Sequence, residues 1–317
     1  MQNNQANYIA GVWVTGDGEE LNSVNPATAA SIWRGNSAGK EQIEQAIQSA
    51  RQAFMPWMSL SLEDRFDKLE IFIKSLSNKQ EELSEILAQE TGKPLWEAKT
   101  EISAMISKLD ISKQAYLERC KETTKDLQGV SSIVRHKPHG VVVVLGPFNF
   151  PGHLPNGHII PALLAGNTVI YKPSELTPYI SMKIMQCWQN ADLPVGVINM
   201  LQGGSEIGQY LVDHKNIDGI FFTGSANVGA KIQAKTSEYP QRILALEMGG
   251  NNPLIVANPD NIAAAVYHTI QSAFITAGQR CTCARRLIVV KNPEGEKFVQ
   301  RLLEACAQLK VGPYTDR

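Results

Sequence analysis

The sequence lacks any apolar run close to the roughly 20 residues that a membrane-spanning helix requires. Its opening stretch, MQNNQANYIAGVW, also lacks the basic and apolar regions of a signal peptide. The formal net charge of -1, from 30 basic and 31 acidic residues, gives no excess that would favour nucleic acid or an anionic membrane surface. These absences predict a soluble, cytoplasmic protein that binds neither membranes nor nucleic acid.

Cysteine is also scarce, with five among 317 residues. An odd number in a chain of this length does not indicate a disulfide framework, and a reducing compartment would keep the thiols free. Cys281 and Cys283 nevertheless lie close together in GQRCTCARR. They could be a metal pair, a disulfide, or one nucleophile with a bystander. A metal site needs further Cys or His at ligand spacing, and only His268 lies nearby. We therefore predict no metal and favour a nucleophile.

The rest of the composition is that of a globular protein. With 43% hydrophobic residues, the chain can bury a large core. Its length of 317 residues predicts two domains. Helical periodicity runs from about residue 39 to 118, with breaks expected at Pro56 and at TGKP (91–94). From about 119 to 138 the sequence becomes polar and β-branched, which indicates an exposed strand or hairpin leaving the main body.

After residue 138 the pattern changes to alternating strands and helices. Five short β-rich runs are separated by segments of helical length: VVVVL (141–145), TVIYK (168–172), VINML (197–201), GIFFT (219–223) and ILALE (243–247). This alternation predicts an α/β fold with a doubly wound parallel sheet covered on both faces. Because ligands bind where the strands of such sheets end, the residues just after each run are the candidates for function.

Two of the loops after these strands are suited to a nucleotide. GSANVG (224–229) precedes a helical segment, whose N-terminus could hold a phosphate, although its spacing differs from G-x-G-x-x-G and an ordinary turn is the alternative. Lys172 ends the second run and Glu175 follows three residues later, where an acidic residue can bind a ribose diol. A solvated ion pair is the alternative there. Together the loops favour a nucleotide.

Two other strand ends carry groups that a nucleophilic thiol requires. Glu247 ends the fifth run and precedes the glycine turn MGGNN, so its carboxylate should lie at the sheet edge as a base. Asn149, in the loop after the first run, offers a side-chain amide for the charge that develops on an attacked oxygen. Thiol, base and amide donor together are the groups that covalent catalysis needs.

Four segments, in order and spacing, resemble the NAD(P)-dependent aldehyde dehydrogenase superfamily: FNFPGHLPNGHIIPALLAGNTVIYKPSELTP, FTGS, LEMGGNNPLIV and AGQRCTCARRL. The resemblance implies a Rossmann-like cofactor domain, a second α/β catalytic domain and a small aldehyde as substrate. It also implies that Cys281 is the nucleophile and Cys283 a bystander, that Glu247 is the general base, and that Asn149 binds the oxyanion.

The same resemblance implies NAD as the cofactor. In the family pattern, Lys172 and Glu175 would hold the adenosine ribose, and Gly224, Ser225 and Gly229 would surround the pyrophosphate. The family's G-x-x-x-x-G loop accounts for the departure from the usual dinucleotide fingerprint.

The resemblance further implies a division of the chain. Residues 1–118 and 139–249 correspond to the NAD-binding domain, 119–138 to a protruding hairpin used in oligomer contacts, and 250–317 to the start of the catalytic domain. Complete members are longer than this chain, so we expect the catalytic domain to be incomplete here. The complete members are also expected to be homo-oligomers. An inactive NAD-binding fragment and a thiol-dependent hydrolase of esters or thioesters remain the alternatives.

The combination of PGHLPNGH with GQRCTCARR resembles members whose substrate is a semialdehyde with two remote carboxylates, and an aldehyde dehydrogenase of another semialdehyde is the alternative. A selective site then needs cationic or amide donors, since buried carboxylates without partners are costly. The candidates near these motifs are Arg280, Arg285, Arg286, His153 and Asn156, each of which could instead be a structural pair or a solvated group.

Overall fold

The computed structural model describes residues 5–316. The strands in this part of the chain are β1 (Gln5–Ile9), β2 (Val12–Thr15), β3 (Glu20–Val24), β4 (Ser31–Asn36), β5 (Thr123–Leu127), β6 (Val130–Val134), β7 (Val141–Leu145), β8 (Thr168–Lys172), β9 (Ile198–Met200), β10 (Gly219–Gly224), β11 (Ile243–Met248), β12 (Asn252–Val256) and β13 (Ala284–Val289). The α-helices are α1 (Lys40–Met58), α2 (Leu62–Asn78), α3 (Gln80–Thr91), α4 (Leu95–Ile106), α5 (Lys108–Arg119), α6 (His153–Leu164), α7 (Pro178–Gln189), α8 (Ser205–Asp213), α9 (Ala226–Thr236), α10 (Ile262–Phe274) and α11 (Pro293–Cys306).

The main sheet has seven strands in the order β11-β10-β7-β8-β9-β1-β2, and the five from β11 to β9 are parallel. Alternate residues of β7 join different cores. Val142 and Val144 belong to the larger core with α2 to α4, α6 and α7, whereas Val141 and Val143 belong to the second core with α1 and α8. Both faces are therefore covered, which confirms the predicted doubly wound α/β fold.

The five predicted strands are all present. The first two have the predicted bounds, the third is shorter by one residue at each end, and the fourth and fifth each extend by one residue. The run from 39 to 118 is helical, as predicted, and forms α1 to α5. Pro56 lies in the last turn of α1, which ends at Met58, and α2 begins at Leu62, so the helical run does break next to this proline. At TGKP, α3 ends and Gly92 takes the left-handed conformation (φ 72°) before α4 begins.

The two antiparallel strands at the sheet edge have no local signal in the sequence. β1 pairs antiparallel with both β9 and β2. Asn7 of β1 is fully buried, and its Oδ1 accepts a hydrogen bond from the backbone N–H of Gln202 at 2.8 Å. A buried asparagine that depends on a partner 195 positions away gives no local β signal, and the strands themselves have only five and four residues.

The segment from 119 to 138 forms the hairpin β5–β6, which pairs antiparallel only with itself within the described residues. Gln128 (φ 53°) and Gly129 (φ 89°) at its tip have the positive φ values that a two-residue hairpin turn requires. Leu127, Val130 and Val134 are exposed along it. The structure thus has the predicted hairpin, and its part in oligomer contacts stays a prediction.

Residues after 250 form a smaller α/β unit. β12 and β13 are parallel and are connected through α10, and α11 follows. Val256, Val266 and Phe298 are the buried centre of this unit, which forms a separate small core. No helix within residues 5–316 is long and apolar enough to cross a membrane.

An aromatic stack joins α2 and α7 in the larger core. Phe72 and Trp188 are both buried, with ring centroids 3.5 Å apart and planes 7° from parallel. We expect Phe72→Ala to lower the free energy of unfolding by about 3–5 kcal/mol, because it removes the ring and leaves a cavity. Urea denaturation measures this. Ile71→Ala, at the 40% exposed neighbour, is the control and should cost much less; equal losses would contradict this assignment.

Candidate active site

The carboxyl ends of the parallel strands open onto a cavity of about 600 Å³, closed on another side by the loop before β13. Six of the eight predicted site residues lie on its wall: Asn149, Glu175, Gly224, Ser225, Glu247 and Cys281. These residues come from five separate segments of the chain. The structure does not place Lys172 or Gly229 on the wall.

The two neighbouring cysteines have different environments. Cys281 is exposed and lines the cavity, whereas Cys283 is 1% exposed and its Sγ lies 3.8 Å from the carbonyl oxygen of Ile275. Both are free thiols, so they do not form a disulfide. Residues 5–316 contain no group of three or more His, Cys, Asp or Glu placed to hold a metal ion. The cavity thus exposes one thiol of the pair.

Asn149 connects the sheet edge to the cysteine loop. Its Nδ2 donates a hydrogen bond to the backbone carbonyl of Gln279 at 2.8 Å. A side-chain amide has two N–H groups, so one remains for a ligand. Across residues 5–316, no acceptor binds the backbone N–H of Cys281, which gives a second donor beside the thiol. Gln279 contributes to the site through its backbone, so its side-chain type gives no signal in the sequence.

Glu247 is exposed on β11, opposite Thr223 of β10 in the parallel register. His158 lines the same cavity. Burial lowers the pKa of His158, while the negative charge of Glu247 acts in the raising direction. A carboxylate on this wall is therefore close enough to affect a neighbouring group, and its own exposure lets it reach a water molecule.

Lys172 and Glu175 form a pair in which only the acid reaches the cavity. Lys172 is 7% exposed, and its Nζ donates to the carbonyl of Pro173 at 2.7 Å and lies 3.6 Å from Glu175 Oε2. Burial lowers the pKa of Lys172, and Glu175 opposes that shift. Lys172 thus lies behind Glu175, whose exposed carboxylate faces the cavity.

The glycine loop contributes mainly backbone. Ser225 is the N-cap of α9, and its Oγ accepts a hydrogen bond from the N–H of Val228 at 3.3 Å. Gly229 packs against Met248 of β11, and a Cβ at this position would make the Met248 side chain shift. Gly224 and Ser225 therefore form the wall at the start of α9, and Gly229 acts in packing.

Three of the five predicted carboxylate-binding candidates are already bound to other groups of the protein. Arg280 lines the cavity but is already paired with Glu97, 3.1 Å from Nη2 to Oε1. Arg286 Nε donates to the carbonyl of Asn251, and it is not part of the wall. Asn156 is buried and donates to the carbonyl of Gly152.

Two candidates remain available on the wall, together with a residue that the sequence analysis missed. Arg285 lines the cavity and donates to the carbonyl of Gly278 at 2.7 Å. His153 also lines it, and its buried Nδ1 has no hydrogen-bond partner in the described part of the chain. Burial lowers the pKa of His153, and the positive charge of Lys108 lowers it further. Lys108, the first residue of α5, lines the cavity too, and no local pattern distinguishes it from a surface lysine.

These observations define a doubly wound α/β protein with one exposed cysteine in the cleft at its strand ends. The chain matches the aldehyde dehydrogenase family over residues 13–317, and it belongs to that family.

Individual relatives agree with this assignment. N-succinylglutamate 5-semialdehyde dehydrogenase of Pseudomonas fluorescens (strain Pf0-1) is 52% identical over 307 residues, which are 97% of this chain and 63% of the relative. A betaine aldehyde dehydrogenase variant from Staphylococcus aureus, solved in complex with NAD+, superposes with a TM-score of 0.93 at 27% identity, over 99% of this chain and 64% of that one. Lactaldehyde dehydrogenase from Escherichia coli gives 0.91 at 30% identity, over 98% and 65%. The chain spans less than two thirds of these relatives.

The different exposure of the two cysteines can be tested directly. With native protein and iodoacetamide, we expect Cys281 to be alkylated and Cys283 to be protected, because only exposed thiols meet the reagent. Peptide mass spectrometry assigns the modified sites. Cys281→Ala should remove this labelling and Cys283→Ala should leave it, whereas alkylation of Cys283 at a rate equal to that of Cys281 would contradict the site geometry.

Proposed function

We propose that this chain belongs to an enzyme that oxidises N-succinyl-L-glutamate 5-semialdehyde to N-succinyl-L-glutamate with NAD, through a thioester on Cys281, in arginine degradation. The main support is that the exposed Cys281 shares one cavity with Asn149 and Glu247 while Cys283 is buried. The substrate follows the relative that is 52% identical. Because the chain spans 63% of that relative, the activity of the whole protein belongs to this proposal.

The cavity fits a nicotinamide dinucleotide. It extends from Glu175, Gly224 and Ser225 to Cys281, so one long ligand could contact both groups of residues. The start of α9 offers backbone N–H groups and a helix N-terminus to a pyrophosphate. The exposed carboxylate of Glu175 could accept hydrogen bonds from ribose hydroxyls, with Lys172 behind it. When bound, the cofactor would supply the acceptor for a hydride.

The first chemical step belongs to Cys281. A cysteine attacks as its thiolate, so the thiol first has to lose its proton. Cys281 is exposed, so solvent can take this proton and the first step does not require Glu247. As the thiolate attacks the aldehyde carbon, negative charge develops on the aldehyde oxygen. The free N–H of the Asn149 amide and the backbone N–H of Cys281 are the donors that would stabilise it.

The second step is hydrolysis of the thioester that remains on Cys281 after the hydride has left. Glu247 would accept a proton from a water molecule, which then attacks the thioester carbon. The carboxylic acid leaves and the cysteine is regenerated. The exposure of Glu247 suits this role, because a base that activates water needs access to solvent.

The remote carboxylates of the substrate would bind the cations that stay available on the wall. Lys108 and Arg285 line the cavity, and within residues 5–316 no acidic side chain forms an ion pair with either one. The unpartnered Nδ1 of His153 can donate a further hydrogen bond in the neutral tautomer that carries its proton on Nδ1. Arg280 is excluded from this set because Glu97 already neutralises it.

The domain division, the oligomer and the location of the enzyme are also part of what we propose. Residues 1–118 and 139–249 would form the NAD-binding domain, and 250–317 part of the catalytic domain. The hairpin 119–138, with its exposed apolar side chains, would contribute to a homo-oligomer. We propose that the protein acts in the cytoplasm on a small-molecule aldehyde, without nucleic acid or membrane partners.

The activity is tested by NADH formation from the succinylated semialdehyde, with succinate semialdehyde and an uncharged aliphatic aldehyde for comparison. We expect the succinylated substrate to have the highest kcat/KM, and Lys108→Ala to reduce this preference with little effect on the uncharged aldehyde. Higher efficiency for the uncharged aldehyde would contradict the assigned substrate. NAD binding without NADH would favour a binding fragment, and turnover independent of NAD a thiol hydrolase.

The roles of base and nucleophile predict different kinetics. Glu247→Gln should retain a burst of NADH but lower the steady-state rate by about 100-fold or more, since hydrolysis of the thioester needs the base. Stopped-flow absorbance separates the two phases. Cys281→Ala should remove both phases, and Cys283→Ala is the matched control that should keep them. An unchanged steady state in Glu247→Gln would contradict its assignment.

Glu175 predicts a preference for NAD. Its carboxylate would accept hydrogen bonds from the ribose hydroxyls of NAD and repel the 2′-phosphate of NADP. We expect tighter binding of NAD, and Glu175→Gln should narrow the difference by improving NADP binding. Fluorescence titration measures both affinities, with the exposed Glu85→Gln on α3 as a charge-matched control. Equal affinities in the unmodified protein would contradict this role.

A further inference from the structure

Helix α4 carries two buried carboxylates on one face. Glu97 is 3% exposed and Glu101 is 2% exposed, and their spacing of four residues places them one above the other. Neither lies on the cavity wall. Carboxylates with so little access to water need dense hydrogen bonding, so the groups that they hold indicate what the helix does.

Glu97 binds the loop that carries Cys281. We call residues 275–283 the nucleophile loop. Oε2 of Glu97 accepts the backbone N–H of Thr276 at 2.8 Å, and Oε1 accepts the Thr276 hydroxyl at 2.7 Å and Arg280 Nη2 at 3.1 Å. Two loop residues therefore supply three donors to one carboxylate, although they lie 179 and 183 positions from Glu97 in the sequence.

The nucleophile loop has a backbone that needs such support. Thr276 (φ 58°), Ala277 (φ 52°) and Gly278 (φ 71°) are all left-handed. A β-branched residue rarely adopts this conformation, and persistent strain of this kind requires surrounding contacts that hold it. Glu97 binds both the N–H and the hydroxyl of Thr276, the first residue of the strained stretch. The same loop ends at Cys283, whose thiol packs back onto Ile275.

Glu101 binds the loop that carries Asn149 in a similar way. It accepts the backbone N–H groups of Gly152 and His153 at 2.9 and 3.1 Å, and it pairs with the buried Lys93 at 2.7 Å. Lys93 Nζ also donates to the carbonyl oxygen of Asn149 at 2.7 Å. One turn of α4 thus anchors the segments that bear the thiol and the amide donor.

We propose that α4 sets the position of Cys281 relative to Asn149, and that Glu97 is the positioning residue of the nucleophile loop. The inference rests on the proposed function only in taking Cys281 as the nucleophile. Without the Glu97 carboxylate, Thr276 loses its acceptors and Arg280 its counter-charge. The strained stretch then relaxes, and the buried thiol of Cys283 becomes accessible.

Three cysteines allow a test that needs no turnover. Cys281 is exposed, Cys283 is buried in the nucleophile loop, and Cys187 is buried in the larger core, where it reports global unfolding. In native protein treated with iodoacetamide, we expect Glu97→Gln to increase the alkylation rate of Cys283 about tenfold or more, while Cys187 stays protected. Peptide mass spectrometry gives the rate at each site.

Two variants sharpen the result. Glu97→Asp keeps the charge and both acceptor oxygens, so it should restore much of the protection of Cys283. Glu81→Gln removes an exposed carboxylate of α3 that pairs with Lys99 of α4 at 2.6 Å, and it should leave all three rates unchanged. Each variant is also melted, so that a loss of overall stability is recognised.

The outcomes separate the two proposals. Protection of Cys283 in Glu97→Gln, or exposure of Cys283 and Cys187 together, would overturn the positioning role. Exposure of Cys283 alone, reversed by Glu97→Asp, supports it. These results do not depend on NADH formation, so failure of the proposed dehydrogenase activity would be seen in the kinetic assays and not in this labelling pattern.

Discussion

The parallel pairing of β11, β10, β7, β8 and β9 is the constraint on which the rest of the structure depends. Parallel strands place all their carboxyl ends at one edge, so the loops that follow them converge whatever their distance in sequence. Asn149, Glu175 and Glu247 share one cavity for this reason. The arrangement requires that both faces be buried, and the two hydrophobic cores on either side of β7 meet that requirement.

The thiol is not part of this sheet, and polar contacts bring it to the sheet edge. The amide of Asn149 donates to the backbone of Gln279, and Glu97 binds Thr276 and Arg280. Buried charges are costly unless they are fully paired. The buried carboxylates of α4, Glu97 and Glu101, are paired, and no residue of this helix lines the cavity. A rigid frame of this kind suits a site in which attack and charge stabilisation both require fixed distances.

The sequence was sufficient for the features that depend on local pattern. Buried parallel strands are continuous apolar runs, so VVVVL and TVIYK could be assigned to their residues, and the polar groups at strand ends followed. The choice between Cys281 and Cys283 came from the family resemblance, because exposure is a tertiary property. Glu97 and Lys108 could not be found, since a charged residue in an amphipathic helix has the same pattern whether it is buried against a loop or solvated. β1 and β2 were missed because both are short and because β1 contains the buried Asn7, whose partners Asn36 and Gln202 are distant in sequence.

The central claim is that Cys281 forms the covalent bond to the substrate. Acid quenching during turnover with NAD and the succinylated semialdehyde, followed by peptide mass spectrometry, measures this most directly. The account predicts an adduct on the peptide of residues 281–285, located at Cys281, with the mass of the aldehyde less two hydrogen atoms, as a thioester requires. It should be most abundant in Glu247→Gln. An adduct located at Cys283, or turnover with no adduct on either cysteine, would contradict the account.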